Sequence, residues 1–196
     1  MTGRGRRLGR RFYARDPLAV APDLLNKVLV HGARAGRIVE VEAYRGTDDP
    51  ASHAFRGPTP RTEVMFGPPG HLYVYFSYGM HWCANAVTSR DGEAGAVLIR
   101  ALAPLRGVEA MHAARPAARR PVDLANGPAK ACQALGIDGS HDGVDLVAPG
   151  SDLTIVDDGV APPPVPVVGP RVGISVALEH PWRFSVPGDP HRSKPW

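Results

Sequence analysis

Cysteine and lysine are the scarce residues of this 196-residue chain. Cys83 and Cys132 are its two cysteines, too few for a disulfide framework and without zinc-ligand spacing, so a reducing compartment is the simplest setting. Lysine occurs only at Lys27, Lys130 and Lys194, against twenty arginines. Coding bias produces the same picture, given 22 Gly and 21 Pro, so arginine richness alone says little about a polyanionic partner. No stretch approaches the roughly 18 apolar residues that a membrane span needs. The arginine-rich start runs into Asp16-Pro17 instead of an apolar h-region, which argues against a secretory leader. Repeats, heptads and the glycine-rich turns of Rossmann or P-loop folds are also missing. Low complexity is confined to Pro162-Pro163-Pro164 in a loop-like run at 157–170.

What is present suffices for one globular domain with a real core: 43% of residues are hydrophobic and 21% charged. The formal charge of +4 is unevenly placed. Residues 1–15 hold six arginines and no acid, which leaves 17 bases against 19 acids, formally −2, for the rest. The sequence therefore divides into a basic N-terminal arm at 1–15, which need not be ordered, and a domain at 16–196.

After a helical segment near 17–26, strand-like runs fall at about 27–31, 36–44, 71–77, 82–88 and 95–102. Further runs lie near 145–148, 153–157, 171–178 and 183–187. Helices are predicted at 104–114 and 128–135, the second with Asn126 as a cap, Pro128 in its first turn and Gly136 at its stop. Strands outnumber helices and mostly follow one another. The fold class is α+β, a single compact domain with a curved, mainly antiparallel sheet and peripheral helices.

Three runs stand out chemically. In Arg37-Ile38-Val39-Glu40-Val41-Glu42-Ala43-Tyr44 a period of two puts Val39, Val41 and Ala43 on one face and Ile38, Glu40, Glu42 and Tyr44 on the other. Two carboxylates and an aromatic on one face point to a cleft, or to an exposed antiparallel strand with polar residues outward. The turn-rich loop that follows can fold His53 back toward Tyr44, although a lone loop histidine is commonly just a surface residue. In His71-Leu72-Tyr73-Val74-Tyr75-Phe76-Ser77-Tyr78-Gly79, Leu72, Val74 and Phe76 make a core face, with Tyr73 and Tyr75 opposite and Tyr78 at the turn. Tyrosines on one face suit stacking on a planar ligand, and core packing is the plainer alternative. Asn85 offers an amide for a base edge. Arg100 ends the apolar run Val97-Leu98-Ile99, where a charge needs a carboxylate or phosphate partner unless it reaches solvent at the strand end.

Taken together and in order, Gly36 to Tyr44 with Asp48/Asp49 and His53, Leu72-Tyr73-Val74-Tyr75 with Tyr78-Gly79-Met80 and Asn85, Leu98 to Leu102, and Gly127-Pro128-Ala129-Lys130 with Gln133-Ala134-Leu135 closely resemble the alkyladenine (3-methyladenine) DNA glycosylase family. This is the type with one mixed α/β domain, not the helix-hairpin-helix type. The likeness runs from about Leu18 to Phe184. It implies a base-excision-repair enzyme that flips alkylated or deaminated purines from duplex DNA and hydrolyses the N-glycosidic bond. By the same resemblance Glu42 is the general base for a water, Arg100 helps hold that water, and the main-chain carbonyl of Val172 is its third contact. Tyr44, His53 and Tyr75 form the slot for the flipped base, Asn85 crowds the 2-amino group of normal guanine, and Tyr78 is the wedge left in the duplex.

The chemistry agrees with that assignment. Extruding a nucleotide takes a few kcal/mol, least for a damaged base, and stacking then holds it. A cationic alkylated purine is a good leaving group and stacks well on electron-rich rings. One positioned carboxylate then serves both as base and as electrostatic stabiliser of the sugar. An amine nucleophile with strand cleavage is disfavoured, since no lysine falls in the matched site. The expectation is a monofunctional, monomeric, intracellular enzyme that acts on DNA without metal, other cofactor or membrane. No site residue is taken from the tail after Pro187. Two other readings remain at this point. Glu40 and Glu42, with backbones about 6.6–6.8 Å apart, approach the roughly 6.5–9.5 Å carboxyl spacing of inverting O-glycosidases, although parallel side chains do not flank a bond. A catalytically silent nucleic-acid-binding module would share the fold, and the intact Glu42 and Arg100 argue against it.

Overall fold

The computed structural model describes residues 5–193, and its elements begin and end where the sequence alternates and where it breaks. In chain order they are β1 (Arg6–Arg7), α1 (Arg10–Tyr13), α2 (Pro17–Leu24), β2 (Val28–His31), β3 (Arg34–Tyr44), β4 (Leu72–Ser77), β5 (His81–Val87), β6 (Ala96–Arg106), α3 (Val108–Ala114), α4 (Pro128–Leu135), β7 (Leu153–Asp157), β8 (Val167–Gly169) and β9 (Arg183–Ser185). Asp16 starts α2 by accepting from the Leu18 N–H, with Pro17 in the first turn, and Gly136 stops α4 at φ +74. Asn126 does not cap α4. Its amide oxygen instead accepts from Lys130 Nζ at 2.7 Å.

Every strand pair is antiparallel, in the order β1-β7-β2-β3-β6-β5-β4, with β9 on β3 and β8 on β9. The sheet curls into a half-barrel, and the fold is the expected α+β domain. β6 follows one edge of β3 along its length, and the other edge is shared: β2 takes Arg34–Arg37 and β9 takes Glu40–Glu42. One sheet face packs on α2 and α4, burying Val20, Leu24, Ile38, Val41, Ile99 and Leu135 among others. Each such side chain contributes about 1.5–3 kcal/mol of hydrophobic free energy. On the opposite face, at the β4–β6 end, Ala54, Met65, Tyr73, Val87 and Ala96 form a smaller cluster that seats the 45–67 loop.

Two register shifts in the β3–β6 ladder decide which side chains face that second cluster. Ile38 opposes Leu102 and Glu40 opposes Ala101, which leaves Val39 without a partner; Val41 then opposes Ile99, which leaves Arg100 without one. Each strand thus carries one extra residue, and the two bulges compensate. Strict alternation fails here as a consequence. Ile38, expected beside the glutamates, belongs to the main core with Val41 and Ala43. Arg100, which alternation would place with Leu102, turns instead toward Glu40 and Glu42.

Other departures have local causes. Phe76 is exposed beside Trp82 because β4 leaves the core at its end. Residues 104–106 continue β6, and Gly107 at φ +68 delays the helix to Val108. The 145–148 run is a turn tied to the sheet by one bridge, His71 to Asp145, since the Asp145 side chain accepts from the Val147 N–H. No strand forms over 171–178, where the backbone is directed at the site described below.

Arg4 lies outside the described residues, as do 194–196, but residues 5–15 of the basic arm are part of the fold. Arg6 and Arg7 pair with Asp157 and Val156, Arg10 bridges to Asp145 at 2.7 Å, and Arg15 to Asp23 at 2.8 Å. Tyr13 is fully buried in the main core. Among the described residues no helix is long and apolar enough to cross a membrane. Tyr13→Ala is expected to destabilise the whole domain by about 3–5 kcal/mol, lowering Tm by roughly 6–20 °C in a thermal melt. A drop of a degree or two would make the N-terminal segment a peripheral attachment.

Candidate active site

The second sheet face, the 45–67 loop and the 171–174 segment enclose a cavity of about 480 Å³. That lies within the roughly 300–1,000 Å³ of small-ligand pockets. Tyr44, His53, Tyr75, Tyr78, Asn85, Arg100 and Val172, all singled out in the sequence, line it. Glu42 lies directly behind this lining and is fully buried.

Burial of a carboxylate demands partners, and Glu42 has three. The Val172 N–H donates to Oε1 at 2.7 Å, the Tyr44 hydroxyl to Oε2 at 2.9 Å, and Arg100 Nη1 stands 3.3 Å from Oε1. A carboxylate offers about four acceptor positions, so Oε2 keeps one to offer a further donor. Burial pushes the Glu42 pKa above the usual carboxylate range, with Arg100, the Val172 amide and Tyr44 opposing the shift. Burial would lower the Arg100 pKa, but Glu42 and Glu40 outweigh it and raise the value, so the guanidinium stays charged. Val172 meets Glu42 through its N–H, which is a different atom from the carbonyl that the sequence resemblance assigns to the water.

The cavity walls are aromatic. Tyr73 and Tyr75 stack with centroids 5.6 Å apart, and the His53 ring meets Tyr75 edge-on at 4.5 Å. His53 Nδ1 is 3.1 Å from the Tyr73 hydroxyl. Burial, with Arg61 adding to it, holds the His53 pKa below its ordinary value, which favours the neutral ring at neutral pH. A neutral ring leaves the slot free of positive charge at that position. Asn85 is nearly buried, and its amide nitrogen donates to the Tyr73 carbonyl at 3.1 Å, fixing the side chain within the lining.

Tyr78 belongs to the three-residue turn between Ser77 and His81 that joins β4 to β5. Its φ is +51, followed by Gly79 at +63, and its side chain is 81% exposed at the cavity rim. Met80 and Phe76 are exposed beside it. Large apolar side chains this exposed at and beside a tight turn suit contact with a partner.

Sequence reasoning passed over the pair that shapes the near wall. Arg171, fully enclosed, donates to both oxygens of buried Asp49, at 2.5 and 2.9 Å, and to the Ala43 carbonyl at 3.1 Å. Its guanidinium lies between Tyr44 and Trp182, 4.7 and 4.9 Å from the ring centroids. Asp49 also accepts from the N–H groups of Arg45 and Ala51. One ion pair thus ties the loop bearing His53 to the segment bearing Val172. The available signals were Asp49 in the quoted motif and an arginine directly before Val172, but a separation of 122 positions hides the pairing. Breaking a buried pair costs about 3–5 kcal/mol. Asp49→Ala is therefore expected to lower Tm by roughly 6–20 °C and to reduce activity even where the protein remains folded. An unchanged melt would remove the pair from its structural role.

With the geometry in place, comparison with known proteins gives the family of the chain. The sequence profile of the methylpurine-DNA glycosylase (MPG) family matches residues 11–190. A Burkholderia lata protein named for 3-methyladenine DNA glycosylase activity is 58% identical over 189 residues, covering 96% of this chain and 91% of the relative. Proteins of the same name from Streptomyces avermitilis and Rhodopseudomonas palustris are 49% and 48% identical, covering 93% and 96% of this chain and 89% and 91% of their own lengths. The chain belongs to the methylpurine-DNA glycosylase family and is a hydrolase of N-glycosidic bonds in DNA.

Proposed function

We propose that the protein flips alkylated or deaminated purines out of duplex DNA into the tyrosine-lined cavity and releases them with a water activated by Glu42. The observation that carries this reading is one buried carboxylate, paired with a buried arginine and set directly behind an aromatic slot. The base stacks between Tyr44, Tyr75 and His53, and Tyr78 fills the gap left in the duplex. Asn85 crowds the 2-amino group of undamaged guanine. The water oxygen attacks C1′ while Glu42 takes its proton, the N-glycosidic bond breaks, and the bonding electrons leave with the purine. Arg100 and the main-chain carbonyl of Val172 hold the water. The product is an abasic site and a free base.

The reading includes no strand cleavage through an amine, since neither lysine among the described residues lines the cavity before Glu42. Lys27 pairs with Asp157 at 3.0 Å, and Lys130 lines a neighbouring cavity with its Nζ on Asn126. An O-glycosidase reading fails on Glu40. Its carboxylate is fully buried and engaged by Arg100, Arg183 and Ser193, so it cannot serve as the second catalytic group.

Glu42→Gln should preserve lesion binding and slow base release by about 100- to 10,000-fold in single-turnover excision. Near-normal release would remove Glu42 from its role. The raised Glu42 pKa also sets a sign. The base is active when ionised, so the rate should fall as pH drops through a value above the ordinary glutamate range. A rate flat down to pH 4 would contradict that. Tyr78→Ser should weaken binding to a lesion duplex by about 1–3 kcal/mol, as measured by anisotropy. Unchanged affinity would count against the wedge.

A further inference from the structure

Glu40 stands two residues before Glu42 and is also fully buried, yet the reaction gives it nothing to do. Its oxygens are nonetheless surrounded by donors. The Ser193 N–H donates to Oε2 at 2.5 Å, and the Ser193 hydroxyl donates to Oε1 at 2.8 Å. Arg100 Nε donates to Oε1 at 3.2 Å, and Arg183 Nη1 lies 3.5 Å away. The Ser193 hydroxyl oxygen in turn accepts from Arg100 Nη2 at 3.2 Å.

The path that delivers Ser193 is built. After β9 the Val186 N–H bonds to the Val39 carbonyl, within the bulge of β3. Gly188 turns the chain at φ +72, and the Asp189 side chain accepts from the His191 N–H at 2.8 Å. Arg192 Nε then donates to the Asp189 carbonyl at 3.1 Å. The result is a strap, residues 186–193, that folds back beneath the sheet and ends with Ser193 only 3% exposed.

The Arg100 guanidinium is therefore held on two sides. Its Nε and Nη2 edge docks on Glu40 and Ser193, and Nη1 is the nitrogen that stands at Glu42. An arginine side chain has many rotamers to lose, and the fork is useful to a reaction only if its direction is fixed beforehand. Arg100 also sits at a bulge, so the ladder does not fix it by itself.

We propose that Ser193, carried by the 186–193 strap and acting with Glu40, is a positioning residue that aims Arg100 at Glu42 and the attacking water. This rests on the assignment of Glu42 and Arg100 as the reacting pair. It assigns the strap a part in turnover and not only in stability.

The test uses the full chain with Ser193→Ala and Ser193→Thr. Three quantities are measured: single-turnover excision of 7-methylguanine from a duplex, affinity for a duplex carrying a tetrahydrofuran abasic analogue, and Tm. Ser193→Ala is expected to lower the excision rate by about 10- to 100-fold while affinity changes by less than about twofold. A loosened Arg100 lowers the Glu42 pKa less effectively, so the acidic limb of the rate profile should move to higher pH. Ser193→Thr keeps the hydroxyl and should recover most of the rate. A folded Ser193→Ala protein with wild-type rate and pH limb would overturn the proposal. So would a rate loss that follows Tm equally in both variants with the limb unmoved. Glu42→Gln run alongside separates the two levels. If it abolishes release while Ser193→Ala is silent, only the strap inference falls; if it is silent too, the reading of the site falls first.

Discussion

The structure is organised around two carboxylates that share one strand and have both lost their water. Glu40 and Glu42 are fully buried, and an ionised carboxylate in that position is tolerated only with charge and hydrogen-bond partners on every side. Arg100 answers both at once, reaching Glu40 through Nε and Glu42 through Nη1. The remaining partners come from far along the chain: Val172 and Tyr44 for Glu42, Ser193 and Arg183 for Glu40. The two acids are thereby given different situations. Glu40 is closed in by donors, while Glu42 keeps spare acceptor capacity beside the cavity and has its pKa pushed up by burial.

The aromatic slot depends on the same arrangement. Tyr44 is held at one end by its bond to Glu42 and on its face by the guanidinium of Arg171. Arg171 can occupy that place because Asp49 neutralises it, and Asp49 also organises the loop that carries His53. Glu42, the Tyr44 ring and the loop bearing His53 are coupled through two buried ion pairs, Arg100 with Glu42 and Arg171 with Asp49. Rigid support of this kind is what allows an active site to hold its geometry without reorganising during reaction.

Much of the site could be read from the chain because its residues lie on strands with clear alternation. Glu42 and Tyr44 on one face, Tyr73 and Tyr75 on another, and Tyr78 at a glycine turn all follow from a period of two and local turn chemistry. The resemblance to the glycosylase family then supplied roles that spacing alone did not. The bulges were illegible. An extra residue at Val39 and another at Arg100 change no composition and leave no motif, yet together they move Ile38 into the core and swing Arg100 to the glutamates. The sequence showed that Arg100 needed a partner without showing which. Arg171 with Asp49, and Ser193 with Glu40, were hidden by separations of 122 and 153 positions, which no local pattern spans.

Those separations bear on how the protein comes into being on the ribosome. β1 emerges first, but the strand it pairs with, β7, is made about 150 residues later, and Ser193 later still. At roughly 5–20 residues per second, Glu40 and Arg100 wait several seconds or more for the donors that complete their environment. A fold dominated by such distant pairings assembles slowly and late. The buried surroundings of Glu40 and Arg100 are therefore completed only after residue 193 has been made, long after both side chains have emerged.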